Sequence, residues 1–198
     1  MIGIIDYEAG NIRSVENALK RLGADYVLSH DTDILSDCDR LLLPGVGEAR
    51  WAMSELGKKD LIGFIRGTQK PLLGICLGMQ LLCSWSEEGD VACLGIFGNK
   101  VRHFRSVLSP SPGLKIPQMG WNNISSLKTD LFEGVPDGAF MYFVHSYFAD
   151  ISEDTVSVTE YGIPFSSALR RGNFMGCQFH PEKSGDAGER ILANFLKI

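Results

Sequence analysis

The sequence lacks both a hydrophobic run long enough to cross a membrane and an excess of basic charge. A membrane-spanning helix needs roughly 18 to 20 consecutive apolar residues, and no such window occurs here. The 19 Lys and Arg residues are outnumbered by 24 Asp and Glu residues, which gives a formal net charge of −5. The chain therefore has no basic field for a phosphate backbone, and we expect neither membrane insertion nor nucleic-acid binding.

Paired cysteine motifs and a secretion signal are also missing. The first residues, Met1 to Asp6, have no basic segment ahead of an apolar one and predict a strand instead of a signal peptide. Cys177 and His180 have a C-x-x-H spacing, but no second pair completes a metal site. We therefore expect a cytoplasmic protein with reduced thiols and no metal. The five cysteines, none of them in a C-x-x-C pair, are Cys38, Cys76, Cys83, Cys93 and Cys177.

What the 198 residues do contain is a globular composition, 44% hydrophobic and 22% charged. This length predicts one domain, spanning residues 1–198. In the first half, short apolar runs alternate with helical patterns, which predicts an α/β fold with a parallel sheet and helices on both faces. Asn11 is the expected N-cap of the first helix and Gly23 its stop. The predicted strands are 2–6, 26–29, 40–44 and 70–76, and the predicted helices are 11–22 and 49–68.

The second half contains further predicted strands and a final helix at 185–196. Only turns rich in Gly, Pro, Asn and Asp separate these strands, so we expect them to form an antiparallel extension of the first sheet. The predicted strands are 100–104, 120–124, 139–144, 155–160, 166–170 and 174–179.

The stretch Gly74-Ile75-Cys76-Leu77-Gly78 lies where a buried strand meets a predicted helix at 79–85. A nucleophile at such a turn is held in a strained backbone conformation at the carboxyl edge of the sheet. The helix N-terminus favours the thiolate of Cys76, and the N–H of Leu77 is placed to meet an oxyanion. The alternative is a structural cysteine between packing glycines, which this motif alone leaves open.

The stretch His180-Pro181-Glu182 follows the last predicted strand. A catalytic thiol needs a base, and the base needs a group that fixes its tautomer. Because Pro181 keeps the preceding residue extended, we expect the side chains of His180 and Glu182 to point the same way, with the imidazole between the carboxylate and Cys76. An ordinary exposed strand end is the alternative.

The stretch Pro44-Gly45-Val46-Gly47 also follows a buried strand, so it lies at the same sheet edge as Cys76. Its glycines let the main chain approach a ligand, which makes the N–H of Gly47 a candidate second oxyanion donor. A dinucleotide-binding loop is excluded because Arg50 stands where that motif needs glycine. A tight strand-to-helix turn remains open. His145, at a strand end, is either part of a substrate wall or a satisfied structural histidine.

Together these motifs resemble the class I (triad) glutamine amidotransferases, which combine an early glycine-rich loop, a G-x-C-x-G nucleophile turn and a late H-P-E. The finer pattern is similar to the glutaminase subunits of imidazole glycerol phosphate synthase. Two positions depart from that family: Gln118 replaces a usual His, and Glu8 replaces a usual Gly. The matching stretches are 10–15, 43–47, 73–80, 117–122, 142–147 and 178–184.

The resemblance implies a flavodoxin-like fold and the hydrolysis of L-glutamine to glutamate and ammonia without a cofactor. It also implies a heterodimer with a (β/α)₈-barrel cyclase subunit that uses the ammonia to make imidazole glycerol phosphate in histidine biosynthesis. The site residues that it implies are Cys76 as nucleophile, His180 as base, Glu182 as the group that orients the base, Gly47 and Leu77 as oxyanion donors, and Gln80, Ser146 and Tyr147 beside the glutamine.

Three alternatives differ in partner or chemistry. Another class I glutaminase, serving anthranilate, pyridoxal phosphate or nucleotide synthesis, shares the triad. A cysteine hydrolase of the α/β-hydrolase type places its acid well before the histidine, whereas Glu182 follows His180. A non-catalytic binding module would keep the fold and lose nothing on replacement of Cys76.

Overall fold

The computed structural model describes residues 1–8, 12–108 and 114–198. The strands are β1 (Ile2–Ile5), β2 (Tyr26–Ser29), β3 (Arg40–Gly45), β4 (Leu72–Cys76), β5 (Trp85–Ser86), β6 (Val91–Ala92), β7 (Lys100–His103), β8 (Gln118–Asn123), β9 (Phe140–His145), β10 (Tyr147–Ala149), β11 (Thr155–Glu160), β12 (Pro164–Arg171) and β13 (Phe174–Cys177). The helices are α1 (Arg13–Arg21), α2 (Thr32–Ser36), α3 (Ala49–Lys58), α4 (Leu61–Gly67), α5 (Leu77–Leu82), α6 (Phe104–Val107) and α7 (Gly185–Phe195), with 3₁₀ turns at Asp130–Phe132 and Pro181–Lys183.

The large sheet has the order β2-β1-β3-β4-β13-β12-β10-β7-β5-β6, with β11 paired to β12. Strands β1, β2, β3 and β4 are mutually parallel where they pair. Strands β1 and β4 are buried along their whole length, as expected for parallel strands covered on both faces. The predicted α/β fold, a mostly parallel sheet with antiparallel strands attached, is confirmed.

Helices cover both faces of this sheet. The core on one face includes apolar residues of α1 and α7, among them Leu19 and Phe195. The core on the other face includes residues of α2 to α5, among them Leu56 and Leu81. Full burial of such a side chain contributes about 1.5–3 kcal/mol, so both layers anchor the sheet edge that carries the candidate site. None of the helices in the described ranges is long and apolar enough to cross a membrane.

Strand β13 corrects the sequence-based prediction of a wholly antiparallel second half. It pairs antiparallel with β12 but parallel with β4, where Gly176 lies opposite Gly74 and Cys177 opposite Ile75. The chain returns from the extension into the middle of the sheet, and all four residues of β13 are buried. The run of turns between strands does not reveal this return. The parallel pairing of β13 with β4 brings the residues after β13 to the edge where β4 ends.

Strands β8 and β9 also differ from the prediction, because they form a separate two-stranded antiparallel sheet. Their outward face carries exposed Met119, Trp121 and Phe140. Their inward face, with Met141 and Phe143, packs on the core. The alternation of exposed and buried residues fits one face packed on the core and one face left uncovered.

Several helix boundaries differ from those predicted. The helix expected at 49–68 is interrupted at Asp60, whose backbone is left-handed with φ of 55°, so α3 and α4 are separate. The helix expected from 79 begins at Leu77. Gly23 follows α1 with φ of +66° and acts as the predicted stop. The predicted N-cap Asn11 lies outside the described residues.

Candidate active site

Cys76 ends β4 and precedes α5, with φ of 54° and ψ of −110°. A side chain rarely adopts such a backbone conformation, so this is the strained strand-to-helix turn that the motif predicts. The glycines beside it are required sterically. A Cβ on Gly78 would collide with the carbonyl oxygen of Leu43, and a Cβ on Gly74 would collide with the backbone of Gly78. Close packing of strand on helix therefore holds the cysteine at the edge of the sheet.

The Cys76 side chain lies at a cavity of about 330 Å³. The residue is 7% exposed, and its Sγ is 4.0 Å from the carbonyl oxygen of Val144 and 3.7 Å from Nε2 of Gln178. All five cysteines are free, and Cys76 is the one that lines this cavity among the described residues. The thiol is thus accessible to a small molecule, unlike the fully buried thiol of Cys177.

His180 lies on the same cavity, three residues after β13. Its backbone N–H donates to the carbonyl oxygen of Tyr142 at 2.9 Å, and its Nδ1 is 2.8 Å from Oε1 of Glu182. Ser184 fixes this turn, because its hydroxyl donates to the carbonyl oxygen of His180 at 2.6 Å and accepts the N–H of Tyr142 at 2.9 Å.

The predicted contact between His180 and Glu182 is present, but the predicted backbone path is wrong. His180 itself is extended, whereas Pro181–Lys183 forms a 3₁₀ turn instead of a continued extended strand. Proline is favoured at the first position of such a turn because its φ is already fixed near the helical value. The turn folds the Glu182 carboxylate back against Nδ1, and both side chains are almost completely buried.

Burial lowers the pKa of His180, but the Cys76 sulfur and the Glu182 carboxylate outweigh burial and raise it to about 10. Because Nδ1 faces a carboxylate, it carries the proton of the neutral ring, which leaves Nε2 as the ring nitrogen that can accept a proton. Nε2 is buried and has no hydrogen-bond partner among the described residues. The raised pKa favours the imidazolium form of His180.

The predicted oxyanion residues lie on the cavity wall. Gly47 follows β3 with φ of +106°, a conformation that favours glycine, and both Gly47 and Leu77 line the cavity. Tyr7 stabilises the loop, because its hydroxyl donates to the carbonyl oxygen of Pro44 at 2.9 Å. Burial, and then the charge of Cys76, raise the pKa of Tyr7, so its hydroxyl stays protonated as a donor. Tyr7 gave no signal in the sequence.

The three residues expected beside the glutamine also line the cavity: Gln80, Ser146 and Tyr147. Gln80 is one helical turn beyond Cys76 and 4% exposed. Its Nε2 donates to the carbonyl oxygen of Tyr147 and to Oε1 of Gln178, both at 2.9 Å. These contacts occupy its two N–H groups and leave its oxygen as an acceptor for a ligand.

Two further polar residues of the cavity wall are Glu88 and His145. The Glu88 carboxylate accepts the N–H of Ala49 at 2.9 Å, and burial raises its pKa against that hydrogen bond. Sequence reasoning missed Glu88, since a lone acidic residue in a turn carries no pattern. For His145, burial lowers the pKa to about 4, and its Nδ1 donates to the carbonyl oxygen of Tyr147 at 2.8 Å. It is therefore a neutral histidine in the cavity wall.

Neither of the two departures from the family pattern forms a hydrogen bond or an ion pair with a triad residue. Gln118 is buried opposite His145 in the β8–β9 ladder, and its amide atoms have no hydrogen-bond partner among the described residues. Glu8 pairs with Lys59 at 3.1 Å on the surface. Within residues 1–8, 12–108 and 114–198, no group of three or more His, Cys, Asp or Glu side chains is placed to hold a metal ion.

Comparisons with known proteins agree with this arrangement. The family model for class-I glutamine amidotransferases matches residues 3–198. The imidazole glycerol phosphate synthase subunit HisH of Bacteroides fragilis is 51% identical over 197 residues, covering 100% of this chain and 99% of that protein. The HisH subunit of Xanthomonas euvesicatoria is 44% identical, with 100% and 97% coverage.

A crystal structure of a glutamine amidotransferase has the same fold, with a TM-score of 0.74, 20% identity, and coverage of 99% of this chain and 97% of the other. At that identity the likeness concerns the fold alone, whereas the curated relatives are similar along their entire length. The chain therefore belongs to the class-I glutamine amidotransferases, within the family of HisH subunits of imidazole glycerol phosphate synthase.

Proposed function

We propose that this chain is the glutaminase subunit of imidazole glycerol phosphate synthase. It hydrolyses L-glutamine to glutamate and ammonia at Cys76, and it delivers the ammonia to a cyclase subunit in histidine biosynthesis. The observation that carries the proposal is a cavity lined by Cys76 and His180, with Glu182 hydrogen-bonded to His180, in a chain that is 51% identical to a HisH subunit over its length. Five free cysteines are consistent with a cytoplasmic location.

In the first half-reaction, the Cys76 thiolate attacks the side-chain amide carbon of glutamine. The imidazolium of His180 then gives its Nε2 proton to the leaving nitrogen, and ammonia departs as the thioester forms. Glu182 keeps the imidazole in the orientation and tautomer required, and it stabilises the imidazolium without taking the proton. The tetrahedral oxyanion is met by the N–H groups of Gly47 and Leu77.

In the second half-reaction, water attacks the thioester with His180 as general base. The same two N–H groups meet the second oxyanion, and the thiolate of Cys76 is released with glutamate. Loss of one such donor typically costs about 10²–10³ in rate.

Recognition of glutamine uses the polar residues that line the cavity. Glu88 supplies the negative charge that the α-ammonium group of an amino acid needs, and the Gln80 oxygen supplies a further acceptor. The cavity falls within the range of small-molecule sites, roughly 300–1,000 Å³. A free amino acid thus suits it better than a peptide or a large ester.

The cyclase docks, in this proposal, on the outward face of the β8–β9 sheet. Met119, Trp121 and Phe140 are exposed there, and their cross-strand partners include Val144, which lines the cavity. A cluster of exposed large apolar side chains indicates an interaction surface. A partner on this face would contact the cavity wall at Val144, close enough to receive ammonia without release to the solvent.

The direct test measures glutamate release from glutamine by the chain alone, with a cyclase subunit, and with the cyclase and its nucleotide ligand. We expect glutamate release that rises when the cyclase and ligand are present, and co-purification with the cyclase. Release that is unaffected by the cyclase but rises with an anthranilate synthase or pyridoxal phosphate synthase subunit would assign a different partner. No release under any of these conditions would contradict the glutaminase itself.

A further inference from the structure

Gln178 contacts the nucleophile Cys76 and has no part in the mechanism described so far. It follows β13, is completely buried, and does not line the cavity. Its Nε2 is 3.7 Å from Sγ of Cys76, within reach for a hydrogen bond to sulfur. Its backbone N–H donates to the carbonyl oxygen of Ser167 at 2.9 Å, which fixes the main chain at this point.

The hydrogen bonds determine which end of the Gln178 amide faces the sulfur. The carbonyl oxygen of Tyr147 can only accept, so Gln80 must turn its NH₂ group toward it. The same NH₂ group is 2.9 Å from the Gln178 side chain, which must therefore present its oxygen. The opposite end, the NH₂ group of Gln178, is left facing Cys76. Reversal of either amide would set two donors against each other or two acceptors against each other.

We infer that Gln178 is a further catalytic residue of this reaction: its side-chain N–H donates to the Cys76 sulfur and stabilises the thiolate, with Gln80 holding the amide in that orientation. The inference rests on the proposed role of Cys76 as nucleophile. A charged sulfur accepts a hydrogen bond more strongly than a neutral thiol, so the contact favours the anion before attack and again as thiolate leaves the thioester.

The other titratable groups that interact with Cys76 are His180, Tyr7 and Cys177. Burial raises the pKa of Tyr7 and that of Cys177, so both stay neutral near pH 7. Glu88 lines the same cavity, and its carboxylate opposes a second negative charge nearby. The thiolate is therefore favoured by the imidazolium of His180 and by the N–H of Gln178.

The test is the pH dependence of Cys76 alkylation by iodoacetamide, followed by peptide mass spectrometry. The other four thiols are at most 3% exposed, so reaction at Cys76 is resolved from them. We expect Gln178→Met to raise the pH at which Cys76 alkylation reaches half of its maximal rate by about one unit. This is the size of shift typical of a lost hydrogen bond to a charged group. Gln178→Glu should move it further, because a carboxylate repels the thiolate.

The same variants have a kinetic signature in the complex with the cyclase. Because Gln178 does not line the cavity, Gln178→Met should lower kcat about tenfold and leave KM for glutamine nearly unchanged. The matched control is Asn194→Leu, which removes another buried carboxamide, one that donates to the carbonyl oxygens of Leu131 and Glu133. Its alkylation midpoint should equal that of the wild type.

A measurement on the wild-type chain covers the case in which a Gln178 variant fails to fold. The side-chain amide resonances of Gln178 should shift with pH at the alkylation midpoint of Cys76, and this shift should vanish in Cys76→Ser. Unchanged alkylation midpoints in both Gln178 variants, or amide resonances indifferent to Cys76, would overturn the inference while glutamate release stands. Absence of glutamate release from the wild-type complex would instead overturn the proposed function.

Discussion

Two of the cavity's walls are built in different ways. The nucleophile wall, residues 44–47 and 74–78, is held by backbone packing in which Gly74 and Gly78 admit no Cβ. The base wall, residues 142–145 and 180–184, is held by hydrogen bonds of side chains, above all those of Ser184 and Glu182. The position of the nucleophile is thus encoded within a few residues, whereas that of the base depends on segments far apart in the chain.

This difference predicts how each wall responds to substitution. Steric packing leaves no intermediate state, so a change in the nucleophile wall removes the chemistry or the fold. Hydrogen bonds can be removed one at a time, so changes in the base wall should give graded losses. The four substitutions below are ordered from the largest expected loss to the smallest, and all are measured as glutamate release by the complex with the cyclase.

Cys76→Ser should cause the largest loss, about 10⁴-fold or more, because no other group in the cavity can form the thioester. Cys177→Ala is the matched control, since Cys177 is buried on β13 and does not line the cavity. We expect near-parental glutamate release from that control. Parental activity of Cys76→Ser would contradict the assignment of the nucleophile.

Glu182→Gln should slow the reaction by roughly 10²–10³-fold, less than the loss of Cys76, because it disturbs the orientation of the base and leaves the nucleophile in place. The pKa of His180 is raised in part by this carboxylate, so it should fall in the variant. A lower pKa of His180 favours the neutral imidazole and the neutral thiol of Cys76. Because the thiolate is the form that reacts, alkylation of Cys76 at pH 7 should slow as well.

The control for this substitution is Glu189→Gln on α7, where the carboxylate forms an exposed ion pair with Arg21. Exposed pairs contribute about 0–1 kcal/mol, so this control should behave like the wild type. Equal losses from Glu182→Gln and Cys76→Ser would mean that Glu182 does more than orient the imidazole.

Glu88→Gln tests the wall that neither the nucleophile nor the base supplies. Removal of its charge should raise KM for glutamine about tenfold to 100-fold with little change in kcat, because the α-ammonium group is bound equally in ground state and transition state. Glu87→Gln is the control, since that neighbouring carboxylate accepts the N–H of His103 and does not line the cavity. A fall in kcat at unchanged KM would contradict the proposed role of Glu88 in substrate binding.

Ser184→Ala should give the smallest loss of activity. It removes the hydrogen bonds to the His180 carbonyl and from the Tyr142 N–H, which should lower the free energy of unfolding by about 1–3 kcal/mol. Glutamate release should fall less than tenfold if Glu182 continues to orient the imidazole. Thermal unfolding and steady-state kinetics check both effects. A loss of activity as large as that of Glu182→Gln would contradict the prediction that substitutions in the base wall give graded losses.

The sequence predicted the nucleophile wall better than the base wall, for physical reasons. The strained turn at Cys76 and the positive φ of Gly47 are local features, and the glycines in each motif predict them from the sequence. The 3₁₀ turn at Pro181–Lys183 and the parallel pairing of β13 with β4 depend on contacts across the chain, which no short pattern records. The prediction of one domain over residues 1–198 stays a prediction.

The residues that sequence reasoning missed share this non-local character. Tyr7 acts through a carbonyl 37 positions away, and Gln178 meets Cys76 at a separation of 102 positions. Glu88 reaches the cavity only because the loop after β5 folds against the start of α3, where it accepts the N–H of Ala49. Each residue is ordinary in sequence, and only the fold gives it a place beside the nucleophile.

The most direct test of the account is to trap the covalent intermediate. Rapid acid quenching of the complex during turnover of glutamine, followed by peptide mass spectrometry, should reveal a glutamyl group on the peptide that contains Cys76, and none in Cys76→Ser. Glutamate release without any adduct on Cys76, or an adduct on another cysteine, would contradict the proposed nucleophile and the mechanism built on it.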